Sequence, residues 1–263
     1  MKPQRIFITG GASGLGYSLA LICAKGGWRV CIADRDIERG EAVLGSLQKI
    51  QPQTIFMPCD VTQFDDLNAA ATKLQEIWGG VDVVVNNAGV AQVGSISDTP
   101  LSDWQWIMDI NLMGVVRGCK VFTPLFQQQG HGHFINVASM AGLLDVPNMS
   151  AYNASKAAVV SLSETLQNEL KPHNIAVTVV CPSFFRTNLG QGMRSTITGM
   201  QSKLDKLMAG SKLNAADIAR QIMRALDKKK SHVLPHRQGR IAWYAKRWLP
   251  RTWYQRLIHS QKK

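Results

Sequence analysis

Thr9-Gly10-Gly11-Ala12-Ser13-Gly14-Leu15-Gly16 is the stretch whose reading decides the fold. It follows the short β-branched run Ile6-Phe7-Ile8 and leads into a helical pattern over 15–26. Glycines here permit a tight strand-to-helix turn and let backbone approach a pyrophosphate closely. A helix opening there presents free N–H groups and partial positive charge to an anion. The spacing is G-x-x-x-G-x-G rather than the commoner G-x-G-x-x-G, and a glycine-rich loop by itself need hold no ligand. Its place between a strand and a helix gives it weight.

Outward from this turn the same alternation continues. Trp28 to Ala33 reads as a strand, 36–49 as a helix, Thr54 to Met57 as a strand and 64–78 as a helix. Val81 to Val85 reads as a strand, 102–128 as one or two helices, Phe134 to Val137 as a strand, 151–170 as a helix and Ala176 to Val180 as a strand. Short β-rich runs alternating with longer helices predict a single-domain, doubly wound α/β fold of Rossmann type: a parallel sheet with helices on both faces. Val81-Asp82-Val83-Val84-Val85 is nearly continuous in apolar character, as a strand buried on both faces should be. Residues 1–227 are read as a dinucleotide-binding catalytic domain. Within it 188–212, rich in Gly and Met and lacking a strand signal, suits a substrate lid. Residues 228–263 form a basic, Trp-rich C-terminal extension.

The chain has 263 residues, 45% of them hydrophobic and 18% charged, which fits a globular domain with a substantial core. No apolar run approaches the roughly 20 residues of a membrane-spanning helix. Ile6-Phe7-Ile8 is too short for a secretory signal. The five cysteines are scattered and never spaced C-x-x-C. Neither a disulfide framework nor a metal site is therefore expected, and a reducing, cytoplasmic setting fits. His131-Gly132-His133 reads as a solvated turn rather than a ligand pair.

Charge is uneven. Residues 228–263 hold 11 of the 30 basic residues and none of the 18 acidic ones, so the body is nearly neutral. A nucleic-acid role would rest on the tail alone and is the weakest of its readings. As a helix, 240–249 places Ile241, Tyr244, Ala245, Trp248 and Leu249 on one face. Arg240, Lys246 and Arg247 fall opposite, with Trp243 among them. Pro250 should interrupt this helix, and beyond it Trp253, Tyr254, Leu257 and Ile258 again share a face. A cationic amphipathic helix rich in Trp suits peripheral contact with a membrane. The competing reading packs the same stripe on the domain or on a neighbouring subunit.

Chemistry-bearing residues lie at the ends of the predicted strands. Asp34 stands 18 residues past Gly16, where an acid can accept ribose hydroxyls and repel a 2′-phosphate; Arg35 could pull the other way. Tyr152 and Lys156 are four apart, so on a helix they share a face. A nearby ammonium should lower the phenol pKa and suit it to general acid–base work. Ser139 lies 13 residues before Tyr152, Asn86-Asn87-Ala88-Gly89 follows another strand, Asp60-Val61 a third, and Asn111 sits in a helical stretch.

Taken in this order from Thr9 to Thr187, these elements resemble the short-chain dehydrogenase/reductase family over most of residues 4–227. The resemblance implies that Gly10, Ser13, Gly14, Leu15 and Gly16 line the pyrophosphate and that Asp34 and Arg35 meet the adenosine ribose. It implies adenine contacts at Asp60 and Val61, a cleft wall at Asn87, Ala88 and Gly89, and carboxamide contacts at Pro182 and Thr187. Asn111, Ser139, Tyr152 and Lys156 match the catalytic tetrad. There Tyr is the acid/base, Ser holds the substrate oxygen, Lys binds the nicotinamide ribose, and Asn anchors a water. One departure is Ser183, where the family has glycine after Pro182. The implied activity is reversible oxidation of an alcohol to a carbonyl, with NAD preferred to NADP. The alternative is a non-enzymatic dinucleotide-binding sensor or scaffold. Val93, Met140, Leu143, Leu144, Met149, Phe184 and Phe185 should face a hydrophobic substrate such as a sterol, retinoid, long-chain alcohol or acyl derivative. Relatives pair the helices corresponding to 102–128 and 151–170, so a homodimer or homotetramer is implied.

Overall fold

The computed structural model describes residues 4–260. Its first half alternates β1 (Arg5–Thr9), α1 (Gly14–Lys25), β2 (Arg29–Asp34), α2 (Ile37–Gln48), β3 (Ile55–Pro58), α3 (Phe64–Trp78) and β4 (Val83–Asn86). After a two-residue strand β5 (Gln92–Val93) come α4 (Leu101–Met108), α5 (Gly114–Gln129), β6 (Gly132–Val137), α6 (Ser150–Leu170) and β7 (Ile175–Val180). The remainder is β8 (Arg194–Ser195), α7 (Met200–Ala209), α8 (Ala215–Asp227), β9 (His232–Val233), α9 (Arg237–Trp248) and α10 (Arg251–Ser260).

Seven strands form one parallel sheet in the order β3-β2-β1-β4-β6-β7-β9. Successive side chains of a strand point to opposite faces. Ile6 and Ile8 accordingly join Leu19, Ile32, Val85 and Ile222 under α1 and α8, while Phe7 joins Leu67, Phe122, Phe126 and Phe134 under α3 and α5. Burial on both faces explains why the strands are apolar throughout. β1 pairs with β2 on one side and β4 on the other, so the winding reverses between β1 and β4. A crevice opens at the carboxyl ends of such strands, where ligands of doubly wound sheets bind.

The stretch 102–128, expected as one or two helices, is two, joined by a five-residue π-helical turn, Asp109–Met113. Other expectations change. The lid region, expected without a strand, contains β8, which pairs in parallel with β5. The extension expected from 228 begins inside the sheet, because β9 pairs with β7 as an edge strand. Two-residue strands carry too little periodicity to be read. Trp104 and Trp106 are both half-buried, with the Arg194 guanidinium stacked on Trp106. Val159, Leu162 and Leu166 of α6 pack into the chain's own core.

Pro250 separates α9 from α10, as expected. The face that α9 turns inward is not the predicted stripe. Trp243, expected among the cations, packs against the core and stacks on His232 with ring centroids 6.1 Å apart. Ile241, Tyr244, Trp248 and Leu249 stay exposed, as does Trp253, whereas Tyr254 is buried. The side chains of Leu257 and Ile258 lie outside the described residues. His133 is buried against the Thr178 hydroxyl at 2.7 Å, and desolvation pushes its pKa down to about 4. His131 instead faces solvent and Asp82, so the two imidazoles diverge.

Candidate active site

A single cavity of about 570 Å³ runs along the crevice. The glycine turn floors one end. Gly10 and Gly14 take left-handed φ values of 62° and 54°, which side-chain-bearing residues resist. A Cβ on Gly16 would fall 2.2 Å from the Gly10 carbonyl oxygen, so only glycine lets the helix start this close to the turn. Ser13 forms no side-chain cap on α1, and the first turn carries no acid. The N–H groups there are left for an anion. Asn87 Nδ2 clamps the turn by donating to the carbonyls of Thr9 (2.8 Å) and Gly10 (3.1 Å). The Thr9 hydroxyl accepts the N–H groups of Asn87 and Ala88. Thr187 stands over Gly14.

Asp34 ends β2 beside this turn. Its carboxylate accepts the Ala12 and Asp36 N–H groups, each at 3.1 Å, and so is fixed in direction with lone pairs to spare. Arg35, and also Asp36, Arg39 and Cys59, which sequence reasoning missed, line the same end. Arg39 lies one helical turn along α2, a placement visible only once Asp36 is known to cap that helix. Asp60 braces its own loop by accepting the Thr62 N–H and hydroxyl. Val61 closes the wall against α5.

The other end gathers the expected tetrad. Ser139, at the end of β6, accepts the Ala141 N–H at 3.1 Å and donates to the Pro182 carbonyl at 3.4 Å. Tyr152 and Lys156 project from α6 into the cavity, 6% and 4% exposed. Lys156 Nζ lies 5.9 Å from the phenol ring centroid and donates to the Val137 carbonyl at 3.0 Å. Burial pushes its pKa down to about 8. Contrary to expectation the Tyr152 phenol is shifted up: desolvation outweighs the hydrogen bond from Ser139, and the ammonium is turned to a carbonyl. Asn111 lies in the π-helical turn. Its Oδ1 accepts the Val90 N–H at 2.8 Å, and its Nδ2 donates to the Val90 carbonyl and the Ser155 hydroxyl. Such turns inside α-helices often sit at functional sites. Gly89 packs between Asn111 and Lys156.

The wall beyond is mostly apolar. Val93, Met140, Leu144, Met149, Phe184 and Phe185 line it as expected, while Leu143 turns into the core. Leu189, Met193, Leu204 and Met208 add a second wall from the lid region. Ser183 does not adopt positive φ, so serine replaces glycine there without that strain. Among the described residues no group of His, Cys, Asp and Glu is arranged to hold a metal ion, and no helix is long and apolar enough to cross a membrane.

Fold and cleft together define a dinucleotide-binding oxidoreductase architecture, and comparison with known proteins makes it specific. The sequence model of the short chain dehydrogenase family matches residues 4–198. A CLA biosynthesis dehydrogenase/reductase from Lactiplantibacillus plantarum is 37% identical over 191 residues, which span 72% of this chain and 67% of that one. A short-chain dehydrogenase/reductase from Burkholderia phymatum, solved in complex with NAD, superposes with a TM-score of 0.88 at 30% identity, covering 93% of each chain. One from Sphingobium yanoikuyae, solved with NADPH, gives 0.79 at 25% identity, covering 99% of this chain and 93% of that one. The chain belongs to the short-chain dehydrogenase/reductase family of oxidoreductases.

Proposed function

We propose that the chain is an NAD-dependent dehydrogenase/reductase that interconverts a hydrophobic alcohol and its carbonyl counterpart. One observation carries this: a single cavity joins the glycine turn and Asp34 at one end to Ser139, Tyr152 and Lys156 at the other. The turn fits a dinucleotide, since its glycines clear the space a pyrophosphate needs and α1 offers uncapped N–H groups to it. Such a cofactor supplies the hydride acceptor or donor, and the protein must orient it and move one proton. In oxidation Tyr152 takes the proton of the alcohol hydroxyl; in reduction it returns that proton to the carbonyl oxygen. Ser139 donates a hydrogen bond to the same oxygen. Lys156 would hold the nicotinamide ribose, and Asn111 keeps one Oδ1 lone pair for a water. The phenol, shifted up by burial, stays protonated at neutral pH and so favours reduction there; oxidation should quicken as pH rises. A panel of primary and secondary alcohols and ketones, graded in chain length, tests this. Turnover rising with apolar length supports it; dinucleotide binding without any turnover would favour a sensor or scaffold.

NAD preference rests on Asp34. Its carboxylate, held at the end of β2 beside the glycine turn, would repel a 2′-phosphate bound against it. Arg35 and Arg39 oppose it. The ratio kcat/KM should favour NAD; a roughly tenfold advantage for NADP, about 1.4 kcal/mol, would show that the guanidinium groups win.

The uncovered face of α9 and α10 suits contact with an anionic lipid surface. Trp248 and Trp253 are 77% and 64% exposed, and Arg240, Arg247, Arg251 and Arg256 of the same two helices are exposed as well. Each such cation contributes about 1 kcal/mol near an anionic leaflet. Truncation at Asp227 would delete β9 from the sheet, so Trp248→Ser with Trp253→Ser is the cleaner test. Wild type should co-sediment with phosphatidylserine vesicles at low salt and the double variant should not; equal partitioning would contradict this. A homodimer or homotetramer is proposed on family grounds alone, since the α6 stripe is used internally. Light scattering that gives a monomer mass would remove it.

A further inference from the structure

The peptide unit between Pro182 and Ser183 is gripped from both sides. Its carbonyl accepts the Met140 N–H at 2.8 Å and the Ser139 hydroxyl at 3.4 Å. Its N–H donates to His236 Nδ1 at 3.1 Å. His236 is the N-cap residue of α9, beyond the region that the family model matches. The same helix is tied to the loop after Ser139. Gly239 lies against Met140, and Lys246 Nζ donates to the Leu143 carbonyl at 3.0 Å and pairs with Asp145 at 2.7 Å. α9 thus spans the two loops that flank the reacting end of the cleft.

To accept at Nδ1, the imidazole must be neutral, with its proton on Nε2. Burial lowers its pKa and keeps it so at neutral pH. An N–H held in this way fixes the plane of its peptide. It also strengthens the carbonyl on the other side, because hydrogen bonds in series polarise one another. That carbonyl is the one to which Ser139 donates.

We propose that His236 is a positioning residue for the hydride-transfer site: it orients the Pro182–Ser183 peptide, whose carbonyl holds the Ser139 side chain in the rotamer that keeps its oxygen in the cavity, until the single hydroxyl proton turns from that carbonyl to a substrate oxygen. His236 is not part of the cavity wall and acts only through this peptide. The inference rests on the dehydrogenase reading, but the contact itself can be tested without it.

His236→Phe keeps a ring and removes the acceptor. His236→Asn places Oδ1, like Nδ1 bonded to Cγ, at the same reach. His236→Leu serves if phenylalanine proves too large. Amide exchange by NMR reads the Ser183 N–H, and kinetics with NAD and a medium-chain secondary alcohol read the consequence. In His236→Phe the Ser183 amide should lose protection and kcat should fall about tenfold, with KM for NAD near wild type. His236→Asn should restore both, as mere core filling would not. Unchanged Ser183 protection in His236→Phe overturns the contact. An unchanged kcat despite lost protection overturns the positioning role, as does an Asn variant no better than Phe. A wild type that binds NAD without oxidising any alcohol counts against the dehydrogenase reading instead, and amide exchange then decides the contact alone.

Discussion

Tyr152→Phe is expected to lower turnover by about 10²–10⁴-fold while dinucleotide affinity stays near wild type. The ring is buried in α6 among Ala91, Val93 and Met149, and phenylalanine retains that packing. Only the hydroxyl is lost, and it is the proton donor and acceptor of the proposed reaction. Ser139 offers no replacement, since an aliphatic hydroxyl is far weaker as an acid than a phenol. Steady-state kinetics in both directions, with dinucleotide affinity from tryptophan quenching, check the split. A Phe variant with near-wild-type kcat would remove Tyr152 from proton transfer.

Lys156→Met is expected to damage both quantities, with kcat down about 10²-fold and dinucleotide affinity about tenfold weaker. Methionine keeps much of the aliphatic length but removes the charge and the donor that now meets Val137. This loss should not come from unfolding. Burial lowers the Lys156 pKa from 10.5 to about 8, so the unfolded chain binds the proton more readily. Stability therefore rises with pH between those values, and the cost of burying the ammonium is felt in full below about 8. Methionine never carries that cost, so the variant should melt no lower than wild type at neutral pH. A large drop in Tm would mean that the ammonium organises the fold rather than the reaction.

Much of this was legible in the chain because β1 to β4, β6 and β7, with the helices between them, obey two simple periods. Strands buried on both faces read as continuous apolar runs, and the helices between them are long enough to show a stripe. The glycine turn was legible for a different reason: Gly16 stands where no side chain fits. What escaped the sequence is short or tertiary. β5, β8 and β9 have two residues each, and nothing local distinguishes them. α8 carried a readable signal, the Asn214–Asp217 capping box, beside a region taken for a lid. Tyr152 shows a subtler limit. Spacing placed Lys156 beside it, but the sign of the phenol shift depends on how much water both have lost and on Val137 claiming the ammonium. The orientation of α9 was likewise invisible. Its amphipathic pattern has two solutions, and the contacts of Trp243, Lys246 and His236 with the domain select the one that leaves Trp248 outside.

The central claim is that the two ends of one cavity work together on a hydrophobic alcohol. It is tested most directly by following nicotinamide absorbance in the near ultraviolet while purified wild-type protein is mixed with NAD and secondary alcohols of increasing length. Absorbance of reduced nicotinamide should appear, grow faster with apolar length, and vanish in Tyr152→Phe. Saturable NAD binding with no reduced nicotinamide from any alcohol, and no oxidation of NADH by the matching ketones, would contradict it.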